Sequence, residues 1–149
     1  MNTFTPRAAL HNLPSAELLG IQAKTSAELI ALLQNGIGFV ALENVAAAIS
    51  QKPSAHSSLA EYLGISLSTY QRRKLEQKLT PKESEGVYRY AALLTRATEV
   101  FEHPNHAKTW LNQPNKALGN VIPLEYARTE LGASLVMQLL GRIEHGSYS

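Results

Sequence analysis

The chain has 149 residues, a formal net charge of +2 and a hydrophobic share of 44%. This length is sufficient for a buried core, in one domain or in two small ones. The sequence contains no Cys and no Asp, which excludes disulfides, cysteine metal sites, thiol nucleophiles and a Ser-His-Asp triad. A helical enzyme is therefore disfavoured, and we predict neither catalytic residues nor a cofactor. The small net charge means that any affinity for nucleic acid must come from a local cluster of cations.

Features that direct a protein to a membrane or to secretion are not found. No basic, apolar leader opens the sequence, and no stretch approaches the roughly 20 apolar residues of a membrane span. The lack of cysteine is consistent with a reducing compartment. We therefore expect a cytoplasmic protein that does not contact membranes.

The first predicted helix follows a lead-in of residues 1–22, in which Pro6, Pro14 and Gly20 interrupt short apolar patches. Thr25 and Glu28 have the spacing of a capping box, in which a hydroxyl and a carboxylate bond to free backbone N–H groups at a helix start. The helix that they open is expected to end at Asn35-Gly36.

A second helix is predicted from about Phe39 to Ile49, because apolar residues recur there at helical spacing. Its break is predicted at Lys52-Pro53-Ser54. The expected buried stripe of this helix consists of Val40, Leu42, Val45 and Ala46.

Residues 63–74 have the pattern of the turn and second helix of a helix-turn-helix. Gly64 supplies the positive φ with which a first helix can end, and Ile65 is apolar and pins the turn to the core. Ser66 or Ser68 can cap the next helix, and Tyr70 is the expected core anchor. A small-residue turn between two helices also occurs in helical proteins that never bind DNA.

The charge distribution favours DNA binding by this second helix, predicted from Ser66 to Gln77. Between residues 71 and 82 the sequence has five cations and one Glu, whereas the rest of the chain is close to neutral. The N-terminal residues of such a helix contact base edges in the major groove. The candidates for base edges are Ser66, Ser68, Gln71 and Arg72, and those for phosphates are Thr69, Arg73 and Lys74.

A long helix begins at Thr80-Pro81-Lys82-Glu83, which combines a capping hydroxyl, a proline at the first helical position and a glutamate three residues on. It should reach Phe101 and stop at His103-Pro104-Asn105. Apolar residues on more than one face suggest a helix shared between two packing layers or with a second chain. The apolar positions are Val87, Tyr90, Ala91, Leu94, Ala97, Val100 and Phe101.

The remaining helices are shorter. We predict a helix through Ala107, Trp110 and Leu111, with Trp110 in the core, a helical turn at Pro123-Leu124, and a last helix from Thr129 to His145. Gly146 should provide the left-handed stop. The chain is thus predicted to be all-α, with a helix-turn-helix domain at 23–79 and a small helical domain at 80–149.

A metal site is disfavoured. His103 and His106 have the spacing of helical metal ligands, but Pro104 lies between them and no third ligand is evident.

The C-terminal half carries a more specific signal, a series of short motifs in a fixed order. It resembles the antitoxin C-terminal domain of the RES–Xre toxin–antitoxin family, and the segment from Leu59 to Lys74 resembles the Xre helix-turn-helix. The resemblance extends from about Thr25 onward. The motifs after the long helix are Trp110-Leu111, Pro114-Asn115, Ala117-Leu118-Gly119, Pro123-Leu124, Thr129, Gly132, Val136, Leu139-Leu140, Ile143 and Gly146.

The resemblance implies an antitoxin that binds and silences a RES-fold toxin, an enzyme that destroys NAD. It also implies a homodimer that represses its own operon together with the toxin, in a complex of higher order. In the family the C-terminal end of the antitoxin covers the NAD cleft of the toxin. The corresponding residues here are Arg142, Glu144, His145, Gly146, Ser147, Tyr148 and Ser149. The alternative is a stand-alone transcriptional regulator whose C-terminal domain dimerises or senses a ligand.

Overall fold

A computed structural model describes residues 11–51 and 58–146 of the chain. In these ranges the all-α class is confirmed, since extended pairing is limited to isolated bridges, and no helix there is long and apolar enough to cross a membrane. The helices are α1 (Pro14–Leu19), α2 (Ser26–Asn35), α3 (Val40–Ile49), α4 (Ser58–Tyr62), α5 (Leu67–Glu76), α6 (Pro81–Phe101), α7 (Pro104–Leu111), α8 (Pro123–Tyr126) and α9 (Glu130–Glu144), with a 3-10 turn at Lys116–Leu118.

Helix α6 begins and ends where the sequence predicts. The Thr80 hydroxyl accepts a hydrogen bond from the Glu83 N–H at 3.1 Å, and the Glu83 carboxylate accepts one from the Thr80 N–H at 2.9 Å. This capping box satisfies two backbone donors that the helix itself leaves unpaired. Glu102 ends the helix in the left-handed conformation.

The core of the molecule is built around α6, which packs against α1, α2, α3, α7 and α9. As the apolar residues on more than one face predict, α6 packs on several sides, and the buried side chains form a single continuous cluster from Ala16 to Leu140. Val100 and Phe101 are only partly buried. The predicted core residues that are buried on α6 are Val87, Tyr90, Ala91, Leu94 and Ala97.

Helix α1 lies in the segment that the sequence analysis treats as a lead-in. Ala16 and Leu19 are completely buried, and the helix packs against α3 and α6. Pro14 occupies the first turn, where proline is favoured because its missing N–H would have no helical partner. The proline thus starts a helix rather than interrupting one.

The buried face of α3 differs from the predicted stripe. Val40 is 48% exposed, so its predicted burial is wrong. Val40 is the first residue of the helix. The side chains that face the core are Ala41, Leu42, Val45 and Ile49. The predicted break at residues 52–54 lies outside the described residues.

A buried serine fastens the connection after α2 to the start of α6. The Ser84 hydroxyl accepts a hydrogen bond from the Ile37 N–H at 2.9 Å and donates one to the Thr80 carbonyl at 2.8 Å. Nearby, the Leu79 N–H donates to the Ile37 carbonyl at 2.8 Å. Since Ser84 is completely buried, both bonds form away from water, where an unpaired hydroxyl would be costly.

Tyr90 joins the C-terminal helices to α6. Its hydroxyl donates to the Leu124 carbonyl at 2.9 Å, and its ring stacks on Tyr62 with centroids 5.7 Å apart. Burial raises the pKa of the Tyr90 hydroxyl, so it remains a hydrogen-bond donor. Trp110, expected in the core, is only partly buried and packs against Phe101 with ring centroids 5.7 Å apart.

Helix α9 starts after Thr129, as predicted, and the Thr129 hydroxyl caps it. Gly146 has the predicted positive φ, +73°. Close to its start α9 approaches α8 so tightly that only glycine fits. A Cβ at Gly132 would lie 1.8 Å from the Tyr126 carbonyl oxygen, whereas a Cβ at Gly141 in the same helix would meet nothing within 4 Å.

The substitutions Gly132→Ala and Gly141→Ala should therefore have opposite effects on the free energy of unfolding. Gly132→Ala forces backbone apart and should cost about 1–3 kcal/mol. Gly141→Ala should stabilise by about 0.5–1 kcal/mol, because alanine restricts the unfolded chain and favours helix. Urea denaturation followed by circular dichroism measures both, and equal effects would contradict the described contact between α8 and α9.

Candidate functional site

The helix-turn-helix forms as predicted from α4, the turn at residues 63–66 and α5. Gly64 has a φ of +72°, and its N–H donates to the Glu61 carbonyl at 3.0 Å. The Ile65 N–H donates to the Ala60 carbonyl at 2.8 Å, and the Ile65 side chain is buried. These two bonds close the end of α4 and fix the direction in which α5 leaves.

The N-terminus of α5 is capped by Ser66, whose hydroxyl accepts from the Thr69 N–H at 3.2 Å. The same hydroxyl donates to the Thr69 side chain at 3.1 Å and lies 3.2 Å from the Ser68 hydroxyl. Ser66 and Thr69, both predicted DNA contacts, thus also form the cap of the helix. Ser68, Gln71 and Arg72 are exposed.

Helix α5 is attached to the protein by few contacts, since none of its residues is buried. Tyr70 packs edge-to-face on Phe39 with ring centroids 5.1 Å apart, so the predicted anchor does reach the core, although it is only partly buried. At the end of the helix, the Gln77 carbonyl accepts from the Phe39 N–H at 3.3 Å.

Arg73, a predicted phosphate contact, is turned towards the protein. Its Nε donates to the Glu83 carboxylate at 2.7 Å and its Nη1 to Glu76 at 3.3 Å, and the side chain is 15% exposed. The same Glu83 oxygen that caps α6 therefore holds α5. This arrangement explains why a cation occupies a position at which helix-turn-helix sequences often place an apolar residue.

The other cations of the basic cluster remain exposed. Arg72, Lys74, Lys78 and Lys82 are solvent-exposed, and within residues 11–51 and 58–146 none of them forms an ion pair. They surround α5 and the first turn of α6. A surface of unpaired cations beside a helix-turn-helix can attract the DNA backbone.

Helix α9 presents one continuous exposed face, here called the α9 face. Leu131 is 72% exposed and Leu135 is 36% exposed, and both are large hydrophobic side chains. Residues three, four or seven apart lie on the same side of a helix. The side chains of this face are Leu131, Leu135, Gln138, Arg142 and His145.

The residues predicted to cover the NAD cleft, Arg142 and 144–149, are here called the tail. Two of them, Arg142 and His145, lie on the α9 face, whereas Glu144 is directed towards Arg96 on α6. Its carboxylate accepts hydrogen bonds from both Nη atoms of Arg96, at 2.6 and 3.2 Å. The hydrogen bond from Arg96 is the main reason why the pKa of Glu144 is below its usual value. Gly146 is exposed, and Ser147, Tyr148 and Ser149 lie outside the described residues.

A groove of about 1280 Å³ is lined by residues of the helix-turn-helix, of α6 and of α9. Arg73, Glu83, Ala133 and Met137 are among its lining residues. Arg128 also lines the groove, and its Nη2 donates to the Glu61 carbonyl at the end of α4 at 3.3 Å.

The two histidines have a structural explanation. Their rings lie with centroids 4.8 Å apart, and His103 Nδ1 caps α7 by accepting from the Asn105 N–H at 3.1 Å. In the part of the chain that the structure describes, no group of three or more His, Cys, Asp or Glu side chains could hold a metal ion.

Two family models together match most of the chain. Residues 28–92 match the model of the antitoxin Xre-like helix-turn-helix domain, and residues 96–146 match the antitoxin Xre/MbcA/ParS C-terminal toxin-binding domain. The chain belongs to the Xre antitoxin family. The antitoxin therefore has a helix-turn-helix domain and a toxin-binding domain, and both matches draw on residues of α6.

Similar proteins from other bacteria are named as antitoxins. An "Antitoxin Xre" of Photorhabdus laumondii is 28% identical over the whole of both chains. One of Yersinia enterocolitica is 38% identical over 56% of this chain and 57% of its own length. A Sphingobium protein named "Prs ADP-ribosylating antitoxin" is 30% identical over 49% of this chain and 52% of its own length.

Two ion pairs were not predicted: Arg73–Glu83, which holds α5, and Arg96–Glu144, which holds α9. Arg73 and Glu83 are ten residues apart, and Arg96 and Glu144 are 48 apart, so no helical spacing reveals either pair. The α9 face could have been found, because Leu131 and Leu135 lie one turn apart on a helix that was predicted.

The Arg73–Glu83 pair predicts an acid-sensitive junction. Burial raises the pKa of Glu83, but hydrogen bonds from Arg73 and Thr80 together lower it below its usual 4.5. A lowered pKa means that the pair stabilises the fold above about pH 4.5 and that this contribution is lost as the pH falls through the folded pKa. Glu83→Gln should cost about 1–2 kcal/mol of unfolding free energy at pH 7.

The control is Glu85→Gln on the same helix, where the glutamate is exposed and forms no ion pair within the described residues. Chemical denaturation at pH 7 and at pH 3 measures both variants. The cost of Glu83→Gln should shrink at pH 3, and a cost that does not depend on pH would show that the charge of Glu83 contributes nothing.

Proposed function

We propose that the antitoxin neutralises a RES-fold, NAD-consuming toxin by covering its NAD cleft with the α9 face and the residues that follow. A toxin partner follows from the family, and the resemblance of the ordered C-terminal motifs supports the RES type. The name of the Sphingobium relative supports NAD chemistry, because ADP-ribosylation uses NAD as its donor.

The observation that carries the proposal is the α9 face itself, which lies within the matched toxin-binding domain. Binding is favoured when a partner removes exposed apolar side chains from water, and arginine is common among the residues that dominate binding energy. Leu131 and Leu135 supply the apolar anchors, and Arg142 continues the face towards the C-terminal residues. The face therefore leads from an apolar anchor to the proposed blocking element.

The tail has suitable chemistry for an NAD cleft. Tyr148 can fill an aromatic slot at a low cost in rotamer entropy. Glu144, included in the tail on the basis of resemblance, is better assigned to holding α9 against α6 through Arg96. Inhibition by this route needs no chemistry from the antitoxin.

We also propose that a homodimer of the antitoxin represses its own operon through α5. Dimeric helix-turn-helix proteins place two such helices in successive major grooves of one operator. Ser68, Gln71 and Arg72 are the proposed base contacts, and Lys74 is a proposed phosphate contact. Arg73 is reassigned from phosphate contact to positioning, because it is bonded to Glu83.

The toxin part is tested with the purified product of the neighbouring gene and NAD. The full antitoxin should abolish NAD consumption. A chain that ends at His145 should inhibit at least tenfold less strongly, because the blocking residues are missing. Leu131→Glu should also weaken inhibition, since it places a charge in an apolar contact.

The matched control is Leu32→Glu on α2, which makes the same change at a leucine that is 37% exposed and outside the α9 face. It should inhibit like the unmodified chain. Full inhibition by both the shortened chain and Leu131→Glu would move the inhibitory surface elsewhere. A neighbouring product that leaves NAD intact would overturn the toxin assignment and favour a stand-alone regulator.

A further inference from the structure

The most exposed large hydrophobic side chain among the described residues is Leu75 on α5, at 86%. A surface leucine on a short helix has no packing role when it is this exposed. It also lies in a strongly polar neighbourhood, between Lys74 and Glu76 and close to Lys78. The position of Leu75 on α5 indicates which partner it contacts.

Leu75 shares one face of α5 with the side chains proposed to contact bases. It lies seven residues after Ser68, four after Gln71 and three after Arg72, and these spacings place residues on one side of a helix. Tyr70 and Arg73 lie on the opposite side, where they contact Phe39 and Glu83. Leu75 therefore points away from the protein, in the direction from which DNA would approach.

An apolar side chain on such a face has a specific partner in DNA. In the major groove the only apolar group of a base pair is the 5-methyl group of thymine. We propose that Leu75 is a specificity-determining residue that contacts thymine methyl groups and so selects A·T pairs near one end of each half-site. This inference rests on the proposed DNA binding by α5.

The charges around Leu75 favour DNA over a second copy of the chain as its partner. Arg72, Lys74 and Lys78 are exposed beside it and match the phosphates on both sides of a major groove. Two copies that met through Leu75 would bring these cations together, which opposes association.

A second exposed leucine lies beside the same face of α5. Leu67 begins α5 and is 54% exposed, and it borders the same face. Eight residues of helix separate it from Leu75, which corresponds to roughly 12 Å. The face is thus long enough to follow several base pairs along the groove.

The test compares two forms of one DNA fragment, the 200 or so base pairs upstream of the coding sequence, amplified with either dTTP or dUTP. Uracil pairs like thymine but lacks the methyl group. Fluorescence anisotropy gives the Kd of the full chain for each form. The unmodified chain should bind the uracil form about fourfold more weakly for each contacted methyl group.

Leu75→Ala should bind the thymine form as weakly as the unmodified chain binds the uracil form, and should no longer distinguish the two. The matched control is Leu32→Ala, a leucine outside α5, which should lose as much affinity on uracil replacement as the unmodified chain. Because Leu75 is exposed, its replacement should not impair folding, and a thermal melt checks this.

Four results would overturn the inference. Leu75→Ala could retain the full preference for thymine, which would assign the methyl contact to another side chain. Sedimentation could show that Leu75→Ala dissociates a dimer, which would make the leucine a contact between copies. A chain that binds the fragment normally but never distinguishes thymine from uracil would refute methyl recognition and leave the proposed DNA binding intact, whereas no binding to any form would remove both.

Discussion

The hydrogen-bonded ion pair between Arg73 and Glu83 joins α5 to the first turn of α6. Glu83 is simultaneously the capping residue of α6, so one carboxylate sets both the start of the long helix and the orientation of the helix-turn-helix. The pair is mostly shielded from water, where a charge-assisted hydrogen bond is stronger than at the surface. Since no residue of α5 is buried, this bond and the Tyr70–Phe39 contact largely determine its position.

A second ion pair fixes the position of α9, which carries the proposed toxin surface. Arg96 holds Glu144 near the end of α9, and thirteen residues of α6 separate Arg96 from Glu83, roughly 20 Å along the helix axis. The proposed DNA surface and the end of α9 therefore lie towards opposite ends of one helix. Because the core is continuous along α6, the two surfaces keep a fixed relation.

Local signals in the sequence were sufficient for most of the fold. The capping box at Thr80, the positive φ of Gly64 and the start of α9 at Thr129 each depend on residues within a few positions, and all three are confirmed. Helix α1 was missed because Pro14 at a first helical turn resembles a break. Val40 was misjudged because periodicity does not reveal which side of a short helix faces the core.

The candidate surfaces could not be predicted from local signals. The sequence shows which side chains are cationic, but whether a cation is exposed or bonded depends on partners far away along the chain. Arg72 and Arg73 are adjacent and chemically identical, yet only Arg73 reaches Glu83. In the same way, Glu144 and His145 were assigned together to the tail, and only Glu144 is held by Arg96.

The proposed DNA surface on α5 and the proposed toxin surface on α9 are separate, so we expect the antitoxin to bind DNA and toxin at the same time. Mass photometry of the upstream DNA fragment with the full chain and the neighbouring gene product tests this most directly. We expect a species whose mass contains all three components. Release of the chain from DNA whenever the toxin binds would show instead that the two partners share a surface.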